Sequence, residues 1–107
     1  MDAPQFAGEQ FLYLTTTGRR SRLPRQIEIW FTTLDGRYYL IAEHRERTNW
    51  VQNIHHESQV SFHIGGHTFL GRARVVEEPA LAEQIRALSE KKYGWGNGLV
   101  VELVPER

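Results

Sequence analysis

The 107-residue sequence contains no cysteine, no excess of either charge and no long apolar run. The missing cysteine excludes disulfides, thiolate metal sites and cysteine nucleophiles. The 13 basic and 13 acidic side chains cancel, which argues against a dedicated nucleic-acid-binding protein, because such proteins carry a basic excess. No apolar stretch approaches the ~20 residues of a membrane span, and residues 1–10 lack the pattern of a signal peptide. We therefore predict one cytoplasmic domain over residues 1–107, of which residues 1–10 form a short N-terminal segment.

Most of the residue patterns in the sequence are typical of β-strands. Alternating or β-branched segments predict six strands, at residues 11–17, 26–33, 37–42, 60–64, 67–75 and 98–104. The dipeptides Asp35-Gly36 and Gly65-Gly66 are strong signals for two-residue hairpin turns, which fix the register of two strand pairs.

Two helices are predicted between the strands, at Thr48–His56 and Pro79–Lys92. Pro79 suits the first turn of a helix, and Gly94 is placed to end it. Six antiparallel strands with two helices favour a mainly β fold, a small antiparallel barrel.

The first hairpin also predicts a surface for self-association. Its register pairs Phe31 with Leu40 and Trp30 with Ile41, and it collects Trp30, Tyr39 and Ile41 on the outer face. Such a face is too apolar for solvent, and apolar patches on small proteins usually mark partner surfaces. We expect a homodimer that forms through this patch.

The segment LTTTGRRSRLPR, residues 14–25, is the first candidate binding site. Gly18 lets the backbone approach a ligand closely. The guanidinium groups of Arg19, Arg20 and Arg25 offer planar forks suited to phosphate. The alternative is a solvent-exposed turn with solubilising arginines.

The segment AEHRERTNWVQN, residues 42–53, is the second candidate. It runs from a strand end to a helix N-terminus, which attracts anions. Trp50 adds a flat apolar face and Asn53 an amide. The alternative is that Trp50 only fills the barrel.

The segment KKYGWGNG, residues 91–98, is the third candidate. The tyrosine and tryptophan of this glycine-rich segment, Tyr93 and Trp95, are able to form a mobile aromatic flap, which stays open for Tyr93 and is the less favoured reading for Trp95. The alternative is a helix end followed by a loop that buries Trp95 against the barrel.

No metal site or hydrolytic site is expected. The hairpin register places His63 and His67 on opposite faces, His55 and His56 diverge on a helix, and His44 stands alone. The sequence also lacks the G-x-S-x-G element of a serine hydrolase.

Several of these residues together resemble the deazaflavin-dependent nitroreductase family. They are the turn LTTTGRRS, the downstream Arg25, and the helix sequence TNWVQNI followed by the strand at residues 60–64. That family belongs to the flavin-binding split-barrel superfamily, as do the pyridoxamine-phosphate oxidases. The similarity covers roughly residues 11–105, with the elements in the same order.

The resemblance implies a homodimeric, six-stranded split β-barrel of the FMN-binding type. It would bind FMN or the deazaflavin coenzyme F-420 in a groove near the subunit interface. The residues implied around the cofactor phosphate or acidic tail are Thr17, Gly18, Arg19, Arg20, Ser21 and Arg25. Those implied at or behind the ring system are Glu43, His44, Arg45, Trp50 and Asn53.

The implied activity is that of a reductase. The cofactor itself carries the hydride chemistry, and the acceptor would be a small conjugated molecule such as a quinone, a nitroaromatic or an enone. Tyr93 is the candidate catalytic residue, since its hydroxyl is able to donate a proton or a hydrogen bond to the developing anion.

Two other functions stay open. One is a non-catalytic barrel that carries a flavin, a deazaflavin or a haem-type ligand, for which His44 is the candidate histidine. The other is an oligonucleotide-binding barrel that uses Arg19, Arg20, Arg72 and Arg74, which the balanced net charge disfavours.

Overall fold

The computed structural model describes Phe6 and residues 8–106. The strands within this part are β1 (Leu12–Thr17), β2 (Pro24–Ile29), β3 (Thr32–Leu34), β4 (Arg37–Ala42), β5 (Gln59–Ile64), β6 (His67–Val75) and β7 (Leu99–Pro105). The helices are α1 (Asn49–His56) and α2 (Pro79–Tyr93), and a 3-10 turn at Arg45–Arg47 precedes α1.

The strands form one antiparallel sheet in the order β2-β1-β5-β6-β7-β4-β3. Its two edge strands, β2 and β3, are consecutive in the chain and are separated only by Trp30 and Phe31. The sheet must therefore curl until its edges nearly meet, which makes a half-closed barrel. The predicted mainly β fold with two helices is confirmed.

The predicted strand count of six is wrong, because the segment 26–33 is divided into β2 and β3. The first half pairs with β1 and the second with β4, at opposite ends of the sheet. Between them the backbone of Phe31 is held by a side chain: its N–H donates to the Tyr93 hydroxyl at 3.0 Å, and its carbonyl accepts from that hydroxyl at 2.8 Å. The predicted pairs Phe31–Leu40 and Trp30–Ile41 do not form, since the pairing stops at Thr32 and Tyr39.

The hairpins and helices otherwise follow the sequence signals. The Gly65-Gly66 turn pairs Ile64 with His67 as predicted. Helix α2 is terminated by Gly94, the residue after its last residue Tyr93, whose φ of 78° is left-handed and suits glycine.

One core fills the inside of the barrel. It includes Leu14, Leu40 and Phe62 from the strands. Helix α1 inserts Val51 and Ile54 into the same cluster. This packing fixes α1 against the barrel and so fixes the loop that precedes it.

Helix α2 covers part of the outer face on which a dimer interface was predicted, so the predicted cluster of Trp30, Tyr39 and Ile41 is not open as a whole. Ala82 and Ile85 of the helix pack with Tyr39 and Val100 of the sheet in a second apolar cluster. Tyr39 is only 3% exposed as a result. The chain's own helix thus covers Tyr39, while Trp30 stays 38% exposed.

A buried carboxylate joins three strands on this side. Glu102 of β7 accepts hydrogen bonds from the Tyr39 hydroxyl at 2.8 Å, from Arg74 at 2.8 Å and from Arg37 at 3.2 Å. Burial alone would raise the pKa of Glu102, but these hydrogen bonds more than offset it and hold the pKa below its usual value. Burial and the same carboxylate raise the pKa of Tyr39.

Within the described residues, neither helix is long and apolar enough to cross a membrane.

Candidate functional site

The glycine turn between β1 and β2 is a compact, hydrogen-bonded loop. The Gly18 N–H donates to the Leu23 carbonyl at 2.8 Å, and the Arg22 N–H donates to the Gly18 carbonyl at 2.8 Å. A Cβ at Gly18 would lie 2.6 Å from Ser21 Oγ, and 3.2 Å from the Leu23 carbonyl oxygen. A larger residue there would require the Ser21 side chain and the Leu23 carbonyl to shift, so glycine suits this position.

Asn53 fastens this turn to helix α1. Its side chain is buried, and its Nδ2 donates to Thr16 Oγ1 at 3.1 Å. Its Oδ1 accepts from both the backbone N–H and the guanidinium of Arg19, at 3.1 and 2.9 Å. Arg19 also donates to Asn49 Oδ1 at 3.3 Å. The Arg19 guanidinium therefore joins the turn to the helix.

A cleft of about 780 Å³ lies between the turn and the start of α1, and we call it the basic cleft. Its lining residues are Thr16, Gly18, Arg19, Arg20, Ser21, Arg25, Ile27, His44, Arg47, Thr48, Asn49, Trp50 and Asn53. Four of these are arginines and none is an acid. In the described part of the chain, Arg20, Arg25 and Arg47 form no ion pair. Three guanidinium groups are thus free to meet an anion.

A second cleft of about 800 Å³ adjoins the first, and we call it the aromatic cleft. Its lining residues are Phe11, Glu28, Ile29, Trp30, Ile41, Ala42, Glu43, His44, Thr48, Trp50 and Trp95. Four are aromatic, and no lysine or arginine is among them. His44, Thr48 and Trp50 line both clefts, so the two form successive halves of one groove.

Thr48 marks the junction with an unsatisfied polar atom. It occupies the N-cap position of α1, but its side chain makes no capping hydrogen bond. Its Oγ1 is buried and has no hydrogen-bond partner among the described residues. Buried hydroxyls usually have partners, so this one is an exception at the point where the two clefts meet.

Most of the predicted binding residues do meet in the groove. Those in the basic cleft are Gly18, Arg19, Arg20, Ser21, Arg25, His44, Trp50 and Asn53. Glu43 lines the aromatic cleft.

Thr17 and Arg45 lie elsewhere. Thr17 lines a shallow groove on the opposite face of the sheet, and Thr16 takes the inward position instead. Strand alternation explains this, because Leu12 and Leu14 point inward and the next inward residue is Thr16. Arg45 lines neither cleft, and its guanidinium reaches Asn97 Oδ1 at 3.5 Å.

Tyr93 is the last residue of α2 and does not lie on a flap. Its hydroxyl oxygen lies 2.8 Å from the Phe31 carbonyl oxygen and 2.9 Å from that of Gln10, and it accepts from the Phe31 N–H. Burial raises its pKa, and the hydrogen bond to Phe31 lowers it only in part. Tyr93 lines neither half of the groove. Its placement is that of a residue which ties α2 to the β2–β3 junction.

Sequence reasoning missed Arg47 as a lining residue of the basic cleft. The available signal was its place in the candidate segment 42–53, one residue before the predicted helix Thr48–His56. The histidines do not assemble: among the residues that the structure describes, no three His, Asp or Glu side chains group as a metal site requires. His55 instead lies 3.0 Å from Glu46.

The half-closed antiparallel barrel with a groove at the start of α1 places the protein among the split β-barrels. Residues 3–97 match the family described as F420H(2)-dependent quinone reductase. The chain therefore belongs to this family of deazaflavin-dependent reductases, and the resemblance seen in the sequence is confirmed. No curated protein has significant sequence similarity to it.

Solved structures with similar folds agree with this placement. A conserved hypothetical protein of Mycobacterium tuberculosis has a TM-score of 0.80 at 21% identity, covering 96% of this chain and 78% of its own. A heme storage protein of Vibrio cholerae has 0.78 at 19% identity, covering 100% and 92%. A protein described as an F420-H2-dependent reductase has 0.73 at 20% identity, covering 96% of each chain. At these identities the likeness shows the fold, a split barrel as expected.

Proposed function

We propose that this protein binds reduced coenzyme F-420 in the groove and passes a hydride to a small conjugated acceptor. The observation that carries the proposal is the division of one groove into a basic half and an aromatic half that meet at Trp50. The family membership favours the deazaflavin coenzyme over FMN.

The basic cleft fits the anionic end of the coenzyme. The guanidinium groups of Arg20, Arg25 and Arg47 line it and carry no competing carboxylate in the described residues. Charge-assisted hydrogen bonds of this kind contribute about 1.5–3 kcal/mol each. Arg19 acts differently, because its guanidinium already bonds Asn49 and Asn53, and it holds the turn in place.

The junction of the clefts fits a planar heterocycle. Trp50 is 9% exposed and offers a rigid apolar wall that lines both halves of the groove. When bound there, the reduced deazaflavin supplies the hydride. The protein's residues orient the ring and exclude water from it.

The acceptor would lie in the aromatic cleft, flat against the ring and about 3–3.5 Å from the hydride donor. The bound coenzyme would supply the hydride, and a quinone in the aromatic cleft would leave as the hydroquinone after also taking up, through solvent, the one proton that the coenzyme loses on oxidation. We leave Tyr93 out of this step, because backbone groups of Phe31 and Gln10 surround its hydroxyl.

Anaerobic stopped-flow kinetics test the proposal. Reduced coenzyme F-420 is mixed with protein and with a quinone, a nitroaromatic or an enone, and oxidation is followed against the free-coenzyme rate. We expect at least one acceptor to accelerate oxidation. Coenzyme binding without acceleration by any acceptor would favour the non-catalytic carrier instead.

That carrier is the second candidate function, and His44 favours it. This histidine lines both clefts, where it would face a haem-type ligand. The absorption spectrum of the purified protein separates the two, since a haem band would favour the carrier. The structure does not support the oligonucleotide-binding alternative. Arg72 pairs with Glu106 and Arg74 pairs with Glu102, away from the groove.

We further propose a homodimer that forms on the sheet face outside β1, β5 and β6. Tyr13 and Leu70 are 39% and 49% exposed there, while α2 buries Tyr39 in the face first predicted. Leu70→Arg would weaken such a dimer in light scattering, whereas Trp30→Arg would not. The reverse result would return the interface to the Trp30 side.

A further inference from the structure

The indole ring of Trp30 in the aromatic cleft is stacked on the ring of Tyr93. The rings of Trp30 and Tyr93 are parallel within 3°, with centroids 4.3 Å apart. The hydroxyl of Tyr93 is fixed to the Phe31 backbone, so the lower ring of the stack cannot turn freely. Trp30 nevertheless remains 38% exposed. Since one face rests on Tyr93, the exposed surface is its other face and its edge.

A second tryptophan bounds the same space. Trp95 stands edge-on to Trp30, with centroids 6.5 Å apart and an interplanar angle of 68°. It lines the aromatic cleft with Trp30 and Phe11. A slot with one flat floor and one upright wall fits a planar ring of one or two cycles, because aromatic rings stack offset or pack edge to face.

The charge of this half of the groove is opposite to that of the basic cleft. Glu28 and Glu43 line it, and among the described lining residues no cation balances them. Neither carboxylate forms an ion pair in the part of the chain described here. Unpaired carboxylates beside an apolar wall repel an anion and leave a neutral ring unaffected.

We propose that Trp30 is the platform on which the acceptor stacks, and that Glu28 and Glu43 make the site select neutral or cationic planar acceptors over anionic ones. This rests on the proposed function, since it names the acceptor class of the same groove. It assigns specificity to residues on the acceptor side, separate from the arginines that meet the coenzyme.

The test uses a neutral naphthoquinone and its sulfonate, because the two differ mainly by one negative charge. Binding of each is measured by calorimetry, with and without coenzyme, and kcat/KM is measured with coenzyme. The redox potentials of the two quinones differ. The relevant quantity is therefore the ratio of the affinity, or of kcat/KM, for the neutral quinone to that for the sulfonate, and how each variant changes this ratio.

Glu43→Gln is expected to improve the sulfonate about threefold relative to the neutral quinone, and the double change with Glu28→Gln up to tenfold. Glu46→Gln is the matched control. Glu46 lies on the same loop but pairs with His55 and lines neither cleft, so the ratio should stay at the wild-type value. An unchanged ratio in the double variant overturns the charge selection.

The platform is tested with Trp30→Phe and Trp30→Ala, with circular dichroism as the check on folding. Affinity for both quinones should fall about twofold with phenylalanine and about tenfold with alanine. Equal affinities across the folded variants, or no quinone binding with and without coenzyme, overturn the platform.

The two proposals fail separately. If coenzyme F-420 binds and turns over while the neutral-to-sulfonate ratio is unchanged in the Glu28→Gln, Glu43→Gln double variant, the charge selection is wrong and the proposed function stands. If the quinone ratio responds to Glu43 in calorimetry while no coenzyme binds, the proposed function is wrong and the charge selection stands.

Discussion

The two halves of the groove are nearly equal in volume, about 780 and 800 Å³, but they are built in different ways. The basic cleft is made by one turn and one helix start, joined through Asn53. The aromatic cleft is made by side chains from distant parts of the chain, including Phe11, Trp30 and Trp95. The first brings together two segments, 16–27 and 44–53, and each segment has a recognisable motif of its own. The second exists only once the whole barrel has formed.

Asn53→Ala should break the basic half while sparing the aromatic half. The change leaves the buried Thr16 hydroxyl and the Arg19 backbone N–H without a partner, which costs about 2–4 kcal/mol of stability. Loss of the turn's geometry should weaken coenzyme binding roughly a hundredfold, measured by calorimetry. His56→Ala is the control, because His56 is exposed on the same helix and lines neither half of the groove. If Asn53→Ala binds the coenzyme normally, the turn does not depend on α1.

Glu102→Gln should destabilise the barrel without touching either half of the groove. Two arginines and Tyr39 lose their charged acceptor, at a cost of about 2–3 kcal/mol at neutral pH. Coenzyme and acceptor affinities should match wild type. Altered coenzyme affinity in a folded variant would mean that the groove is coupled to the network on the covered face.

The pH dependence of Glu102 follows from the same hydrogen bonds. Its pKa is lower in the folded state, so its contribution is complete above the ordinary glutamate pKa of about 4.3. That contribution is lost as the pH falls through the lower folded pKa. Chemical denaturation between pH 7 and pH 3 should show wild type losing its advantage over Glu102→Gln. A constant difference between the two proteins would contradict this.

Tyr93→Phe should have the smallest effect on stability and none on coenzyme binding, which would separate Tyr93 from both halves of the groove. Removing the hydroxyl leaves the Phe31 N–H unpaired at the β2–β3 junction, which costs about 1–2 kcal/mol, while the stacked ring remains. Coenzyme affinity should be unchanged and acceptor turnover should persist. A large loss of kcat with stability intact would return Tyr93 to the proton donor first predicted.

Local signals were sufficient for much of the fold. The Gly65-Gly66 register is as predicted, and the helices Asn49–His56 and Pro79–Tyr93 differ from their predicted bounds by one residue each. These features depend on turn dipeptides and helix ends, which act over a few residues. The Gly18 turn was predictable for the same reason.

Long-range packing explains what the sequence did not reveal. Alternation continues through Trp30 and Phe31, so nothing local marks the break that Tyr93 stabilises 62 residues away. The cover of Tyr39 by α2 likewise depends on where a separate element docks. Strand alternation predicts that Thr16, and not Thr17, points into the cleft, but only when the inward face of the strand is already known.

Calorimetric titration of coenzyme F-420 into wild type, Arg20→Ala and Arg22→Ala is the most direct test of the basic cleft. Arg20 lines the cleft, whereas Arg22 lies two residues along the same turn and lines the groove on the opposite face. Both changes remove one charge, so general electrostatic attraction would affect them equally. The account predicts binding roughly ten- to a hundredfold weaker in Arg20→Ala and near wild type in Arg22→Ala. Equal affinities in the two variants would contradict it.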